Sequence, residues 1–168
     1  GPFPSADQAA RLMTDYLSGG EANVSPAANQ TQNALTWTVW NTGSDIGDFG
    51  AVTNCVNYVF VYVKADVVKS GVKMKIGSDD GVKAWVNGTL VLNNDTYRGN
   101  AIDQDTSNAF NLNAGWNIVL VKVSQGAGPT SLIARICDAA GNNVPGLTYS
   151  TAKPTNNPPA GNLVVPAA

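Results

Sequence analysis

The stretch VKMKIGSDDGVKAWVNGTLVL, residues 72–92, decides the fold class of this chain. Apolar and polar residues alternate over residues 72–78 and again over residues 82–86. Asn87 and Gly88 then supply the pair of positive-φ positions that a type I′ hairpin turn requires. A period of two that ends in an Asn-Gly turn predicts a β-hairpin with one buried face.

The rest of the chain repeats this pattern of short runs separated by turn residues. Residues 57–64 are apolar on both faces, as in a central strand that is covered on both sides. One helical spacing precedes Gly19-Gly20, in Ala9, Leu12, Met13, Tyr16 and Leu17. We therefore predict an all-β sandwich or jelly roll with one short N-terminal helix. Further strands are predicted over residues 35–40, 90–92, 110–112, 117–123 and 132–137.

The length of 168 residues fits one domain with a tail. Residues 1–151 are predicted to form the β-sandwich module. Residues 152–168 are predicted to be a tail or linker, because four prolines stand there among Asn, Ala and Gly. A polar loop over residues 93–108 is the longest irregular stretch, and loops of this length tend to be either functional or disordered.

Composition excludes several classes of function. The net charge is −2 and no Lys/Arg run occurs, so no nucleic-acid partner is expected. No apolar stretch approaches the ~20 residues of a membrane span, so no membrane insertion is expected. The sequence has no histidine, which removes His-based triads and Cys/His zinc sites. Two carboxylates could still perform acid–base chemistry, but no glycosidase-like pattern occurs, and we expect no enzyme.

Cys55 and Cys137 are the two cysteines. If the strands that carry them pair antiparallel, both thiols lie at the same end of the pair and could form a disulfide. A disulfide would indicate an oxidising compartment. The alternative is a pair of free, buried cysteines, which is a common state of this residue.

Two acidic groups interrupt the strands. Asp79 and Asp80 occupy the turn between two predicted strands, and Asp103 and Asp105 lie in the long loop. Calcium takes six to eight oxygen ligands from carboxylates, amides and carbonyls. The four aspartates are therefore candidate Ca²⁺ ligands, and the alternative is a pair of hydrogen-bonded turns with solvated carboxylates.

Aromatic residues beside polar groups suggest a sugar-binding surface, because sugar rings present apolar C–H faces. The candidates are Trp85, Asn94, Tyr97 and Arg98. Trp85 lies on the face of its strand that is opposite to the apolar residues. Trp116 is assigned to the core, and the pattern does not decide between core and surface for Trp37 and Trp40.

Several segments carry a resemblance to a known family. They are GPFP (1–4), DYLSGGEANVSP (15–26), IGSDDGVKAWVNGTLVL (76–92), Arg98, DQD (103–105), LNAGWNIVLVKV (112–123) and ARICDAAGNNVPGL (134–147). These segments resemble a bacterial family of carbohydrate-binding-like β-sandwich domains, which are accessory modules of secreted glycoside hydrolases, polysaccharide lyases and cell-surface proteins. The resemblance implies an extracellular, non-catalytic module, either secreted or at the cell surface.

The Ser78-Asp79-Asp80-Gly81 turn is also similar to that of PA14-like sugar-binding adhesins. In those proteins two consecutive aspartates hold a calcium ion that in turn holds the sugar. Carried over by position, the calcium pair is Asp79 and Asp80.

Two hypotheses of function follow. The first is a module that binds a polysaccharide or a cell-surface glycan. The second is a structural or assembly subunit, held in an extracellular complex or a parent multidomain protein by protein–protein contacts.

Overall fold

A computed structural model of the chain describes residues 7–32, 35–39 and 46–155. The segment 1–4, Trp40 and most of the predicted tail lie outside these ranges. The described part contains one helix, α1 (Gln8–Met13). Its strands are β1 (Thr31–Gln32), β2 (Leu35–Thr36), β3 (Gly47–Ala51), β4 (Cys55–Ala65), β5 (Lys69–Asp79), β6 (Gly81–Val86), β7 (Thr89–Asn94), β8 (Asp105–Thr106), β9 (Phe110–Leu112), β10 (Gly115–Gln125), β11 (Pro129–Cys137) and β12 (Leu147–Ser150).

β1 and β2 pair as a separate two-stranded sheet, and the other strands form two antiparallel sheets that pack face to face. The first sheet has the order β12-β4-β10-β6-β7, and the second has the order β3-β11-β5-β8, with β9 also paired to β5. Apolar side chains of both sheets form one buried cluster that includes Val63, Ile76 and Leu132. This arrangement confirms the predicted all-β sandwich. No helix in the described part of the chain is long and apolar enough to span a membrane.

The predicted hairpin is present between β6 and β7. Asn87 and Gly88 have φ angles of 49° and 79°, as a type I′ turn requires. The predicted N-terminal helix is also present, but it ends at Met13, before Tyr16 and Leu17. Its first turn is capped by Asp7, whose carboxylate accepts from the backbone N–H of Ala9 at 2.9 Å.

The N-terminal segment, residues 7–26, covers the outer face of the first sheet. Lys122 on β10 is fully buried there. Its Nζ donates to the carbonyl of Leu12 at 2.9 Å and to Glu21 Oε1 at 2.8 Å. Arg11 is also buried and donates from Nη2 to the carbonyl of Gln125 at 3.0 Å. The first sheet is therefore covered on both faces over β10 and β6.

The disulfide between Cys55 and Cys137 is absent, and both thiols are free and buried. Of the two alternatives that the sequence left open, the structure has the free, buried cysteines, because β4 and β11 belong to different sheets and do not pair. Cys55 Sγ lies 4.0 Å from Thr130 Oγ1, at the start of β11. Cys137 ends the same strand, seven residues further on, which is about 23 Å along an extended chain.

Candidate functional site

Three connecting segments meet at one end of the sandwich, and we call them together the loop end. They are the turn 78–81 between β5 and β6, the loop 95–104 after β7, and the turn 125–128 between β10 and β11. The predicted residues Asp79, Asp80 and Tyr97 lie here. The strand ends place them, because β5 and β7 finish at the edge where β10 turns into β11.

Asp80 joins the three segments. Its side chain is buried, and its Oδ1 accepts from the backbone N–H of Arg98 at 2.8 Å. Its Oδ2 accepts from the backbone N–H of Gly126 at 3.0 Å. Each carboxylate oxygen therefore holds a different loop, and these charge-assisted bonds fix both loops against the turn that carries Asp80.

Arg98 forms the centre of a polar network below the loop. Its Nη2 donates to Ser78 Oγ at 2.7 Å and forms an ion pair with Asp105. Asn94 Nδ2 donates to the other oxygen of Asp105 at 2.8 Å. Burial alone would raise the pKa of Asp105, but the bonds from Arg98 and Asn94 and the charge of Arg98 hold this pKa below its usual value.

The loop 95–104 packs directly on the backbone of β5. A Cβ placed on Gly77 would lie 1.9 Å from the carbonyl oxygen of Ala101, so only glycine fits at this position. Gln104 Oε1 also accepts from the backbone N–H of Ser78 at 3.0 Å. From the other side, Gln8 on α1 donates to Asp95 Oδ1 at 3.0 Å. The loop is thus anchored along its length.

Tyr97 is the exposed aromatic side chain of the anchored loop, with 68% of its surface accessible. Its ring lies over Gly126, since a Cβ on that glycine would come within 2.8 Å of the Tyr97 Cε1 atom. The half-buried Asp79 belongs to the same end. Burial, and then the charge of Asp80, raise the pKa of Asp79 above its usual value.

The four aspartates that the sequence suggested as calcium ligands do not form one site. Asp103 is bound by Arg135, with Nε to Oδ1 at 3.0 Å and Nη2 to Oδ2 at 2.6 Å. Asp105 is bound by Arg98, and both oxygens of Asp80 accept backbone N–H groups. Within the described ranges no three acidic or cysteine side chains group as metal ligands would. Calcium binding by these aspartates stays a prediction.

Trp85 requires a correction, because the structure buries it and leaves 6% of its surface accessible. It does point to the outer face of its strand, as the alternation predicted. That face is covered by the N-terminal segment, and Trp85 lines a narrow crevice with Glu21 and Ser25. A buried ring cannot stack on a sugar, so Trp85 does not belong to a binding surface.

Trp37, which the sequence left undecided, lies half-buried against β4. Its ring meets those of Phe60 and Tyr58 edge to face, at centroid distances of 5.1 and 6.4 Å. These three rings line a crevice of about 400 Å³ that sequence reasoning did not identify. The signal was present, since Tyr58 and Phe60 alternate with valines in a strand that is apolar on both faces.

Comparison with known proteins gives one structural similarity. No protein-family profile and no curated protein matches this chain. Among solved structures, the crystal structure of the PA14 domain of the antifreeze protein MpAFP aligns with 56% of this chain and 46% of its own, at 19% identity and a TM-score of 0.42. The chain therefore spans less than half of that structure, and neither a site nor a function is transferred at this level of similarity.

Proposed function

We propose that this domain is a non-catalytic extracellular module that binds a polysaccharide or a cell-surface glycan at its loop end, with Tyr97 as the stacking residue. The observation that carries the proposal is the combination of an exposed ring with an anchored loop. The ring of Tyr97 is accessible. On one side of it the backbone N–H of Arg98 is held by Asp80, and on the other side the side chains of Asp95 and Asn94 are held by Gln8 and Asp105.

A fixed aromatic ring suits a sugar because the apolar C–H face of a pyranose packs on it without a large change in protein conformation. Loops that are ordered before binding lose less conformational entropy when the ligand arrives. Hydrogen-bonding groups are present at the same loop end: Thr96, next to Tyr97 in the chain, is exposed, and Asp79 is half-buried. One ring on an open surface gives weak binding, and we expect a Kd between about 1 mM and 1 μM.

Within this proposal Arg98, Asn94 and Asp105 position the loop and do not contact the glycan. Their polar atoms already bind one another and Ser78. Calcium binding at Asp79 and Asp80 stays a prediction of the sequence resemblance. A bound ion would share the Asp80 oxygens with the N–H groups of Arg98 and Gly126.

The test is retention of the purified domain in affinity gels that contain a panel of soluble polysaccharides, each run with calcium and with a chelator. We expect at least one polysaccharide to retain the wild type, and Tyr97→Ala to abolish that retention while Tyr97→Phe preserves it. Tyr149→Ala is the matched control, because this tyrosine is 55% accessible and lies on β12 outside the loop end. Loss of retention in both alanine variants, or in neither, would reject Tyr97 as the stacking residue.

A further inference from the structure

The edge of β4 has an unusual gap. β4 pairs with β10 along its whole length, from Cys55 to Ala65. On its other side β12 pairs with residues 62–65 alone. Among the strands of the described residues, no other is a neighbour of β4, so within this part of the chain residues 55–61 have no strand partner on this side. The amide groups of a strand alternate between its two edges, so half of the backbone groups in this stretch point into the gap.

Apolar surface flanks the gap on both faces of the sheet. Between the two sheets lies a groove of about 500 Å³, lined by Val59, Val61, Leu132, Ile136 and Tyr149 among others. On the outer face lies the crevice of about 400 Å³ beside Trp37 and Phe60. A single missing strand beside residues 55–61 would fill both, because its alternate side chains would enter the groove and the crevice in turn.

The geometry points to one occupant, the C-terminal segment of this same chain: we propose that Leu163, Val164 and Val165 add as a short strand to the open edge of β4. Thr151, which follows β12, already lines the outer crevice. Seven residues lie between Thr155 and Leu163, and the eight Cα–Cα steps that join them reach about 26 Å. The open stretch 55–61 is about 23 Å long, so the segment can reach it.

The sequence of the segment fits this position. Residues 156–168 contain no charged residue, which matches the apolar lining of the groove. Their one run of consecutive large apolar residues is Leu163–Val164–Val165, and valine favours extended structure. Pro166 follows and cannot donate to a strand ladder, which ends the strand. A short tether of this kind keeps the segment at a high effective concentration near its own molecule.

The test compares the full chain with a chain that ends at Thr155, using hydrogen exchange of the amides of residues 55–61 and thermal unfolding. We expect at least tenfold faster exchange of the outward-facing amides in the shorter chain and a Tm lower by about 5 °C. A synthetic peptide of residues 156–168 added to the shorter chain should restore protection. Unchanged exchange would show that another segment covers this edge, and it would overturn the proposal.

A matched pair of variants separates the apolar run from the mere length of the tail. In the full chain, Leu163→Asp with Val165→Asp should reproduce the effects of truncation. Asn156→Asp with Asn157→Asp adds the same charge outside the apolar run and should leave exchange and Tm unchanged. If protection instead rises with protein concentration and light scattering shows a dimer, the segment acts on a second copy and the intramolecular proposal is rejected.

Discussion

The loop end and the open edge of β4 differ in polarity and in how many of their hydrogen-bonding groups have partners within the described chain. The loop end is rich in carboxylates and amides, and its Asp80, Arg98 and Asp105 already bind partners within the chain. The β4 edge is apolar on both faces, and no described strand satisfies its outward backbone groups over residues 55–61.

The difference shows that a cluster of polar side chains does not by itself mean that hydrogen-bonding groups are available to a ligand. A carboxylate whose two oxygens each accept a backbone N–H group has part of its acceptor capacity committed within the chain. An unpaired strand edge retains the full capacity of its N–H and C=O groups for one more strand. In this domain the polar network therefore holds Tyr97 in place, and the unfilled backbone capacity lies elsewhere.

The most severe test of the comparison is Asp80→Ala. If Asp80 holds the two loops against its own turn, this variant removes two charge-assisted hydrogen bonds from partly buried backbone N–H groups. We expect the free energy of unfolding to fall by about 3–5 kcal/mol, measured by urea denaturation. Asp79→Ala is the control next to it, and we expect it to cost less than about 1 kcal/mol because Asp79 accepts neither of those bonds. Equal costs would contradict the assigned role of Asp80.

A pair of valine truncations on β4 tests the other region. Val63 is fully buried, within the stretch of β4 that pairs on both sides, whereas Val61 is half-buried beside the gap. We expect Val63→Ala to lower the free energy of unfolding by about 2–3 kcal/mol, from lost burial plus a cavity. Val61→Ala should cost about 1 kcal/mol or less in the chain that ends at Thr155. A cost for Val61 as large as that for Val63 would show that this edge is packed after all.

The sequence predicted the elements that depend on local pattern. The alternation of β5 and β6 and the Asn87-Gly88 turn are local signals, and all of them are present. β3 escaped prediction because its sequence GDFGA has neither alternation nor an apolar run. β12 is a four-residue edge strand, too short to show a period.

The predictions that failed depended on how the elements pack. Nothing in the spacing of Cys55 and Cys137 shows that their strands lie in different sheets. The outward direction of Trp85 was predicted, but its cover by residues 7–26 is a tertiary contact between distant parts of the chain. Asp80, Arg98, Asn94 and Asp105 do lie together, as the candidate site required, yet their partners are one another.

The smallest expected effect is a difference in sign between two aspartates of the same region, measured as urea stability between pH 3 and pH 7. The folded-state pKa of Asp105 is lowered, so its stabilisation is fully present above the unfolded pKa of about 3.9 and is lost as the pH falls through the folded value. Asp105→Asn should therefore cost about 1–2 kcal/mol at pH 7 and less at pH 3.

The pKa of Asp79 is raised, so its carboxyl favours folding below pH ~3.9 and opposes it as the pH rises through the folded value. Asp79→Asn should match the wild type at pH 3 and exceed its stability at pH 7. Curves that run in the same direction would mean that one of the two carboxylates is not in the environment described, and that the ion-paired Asp105 and the partly buried Asp79 do not differ.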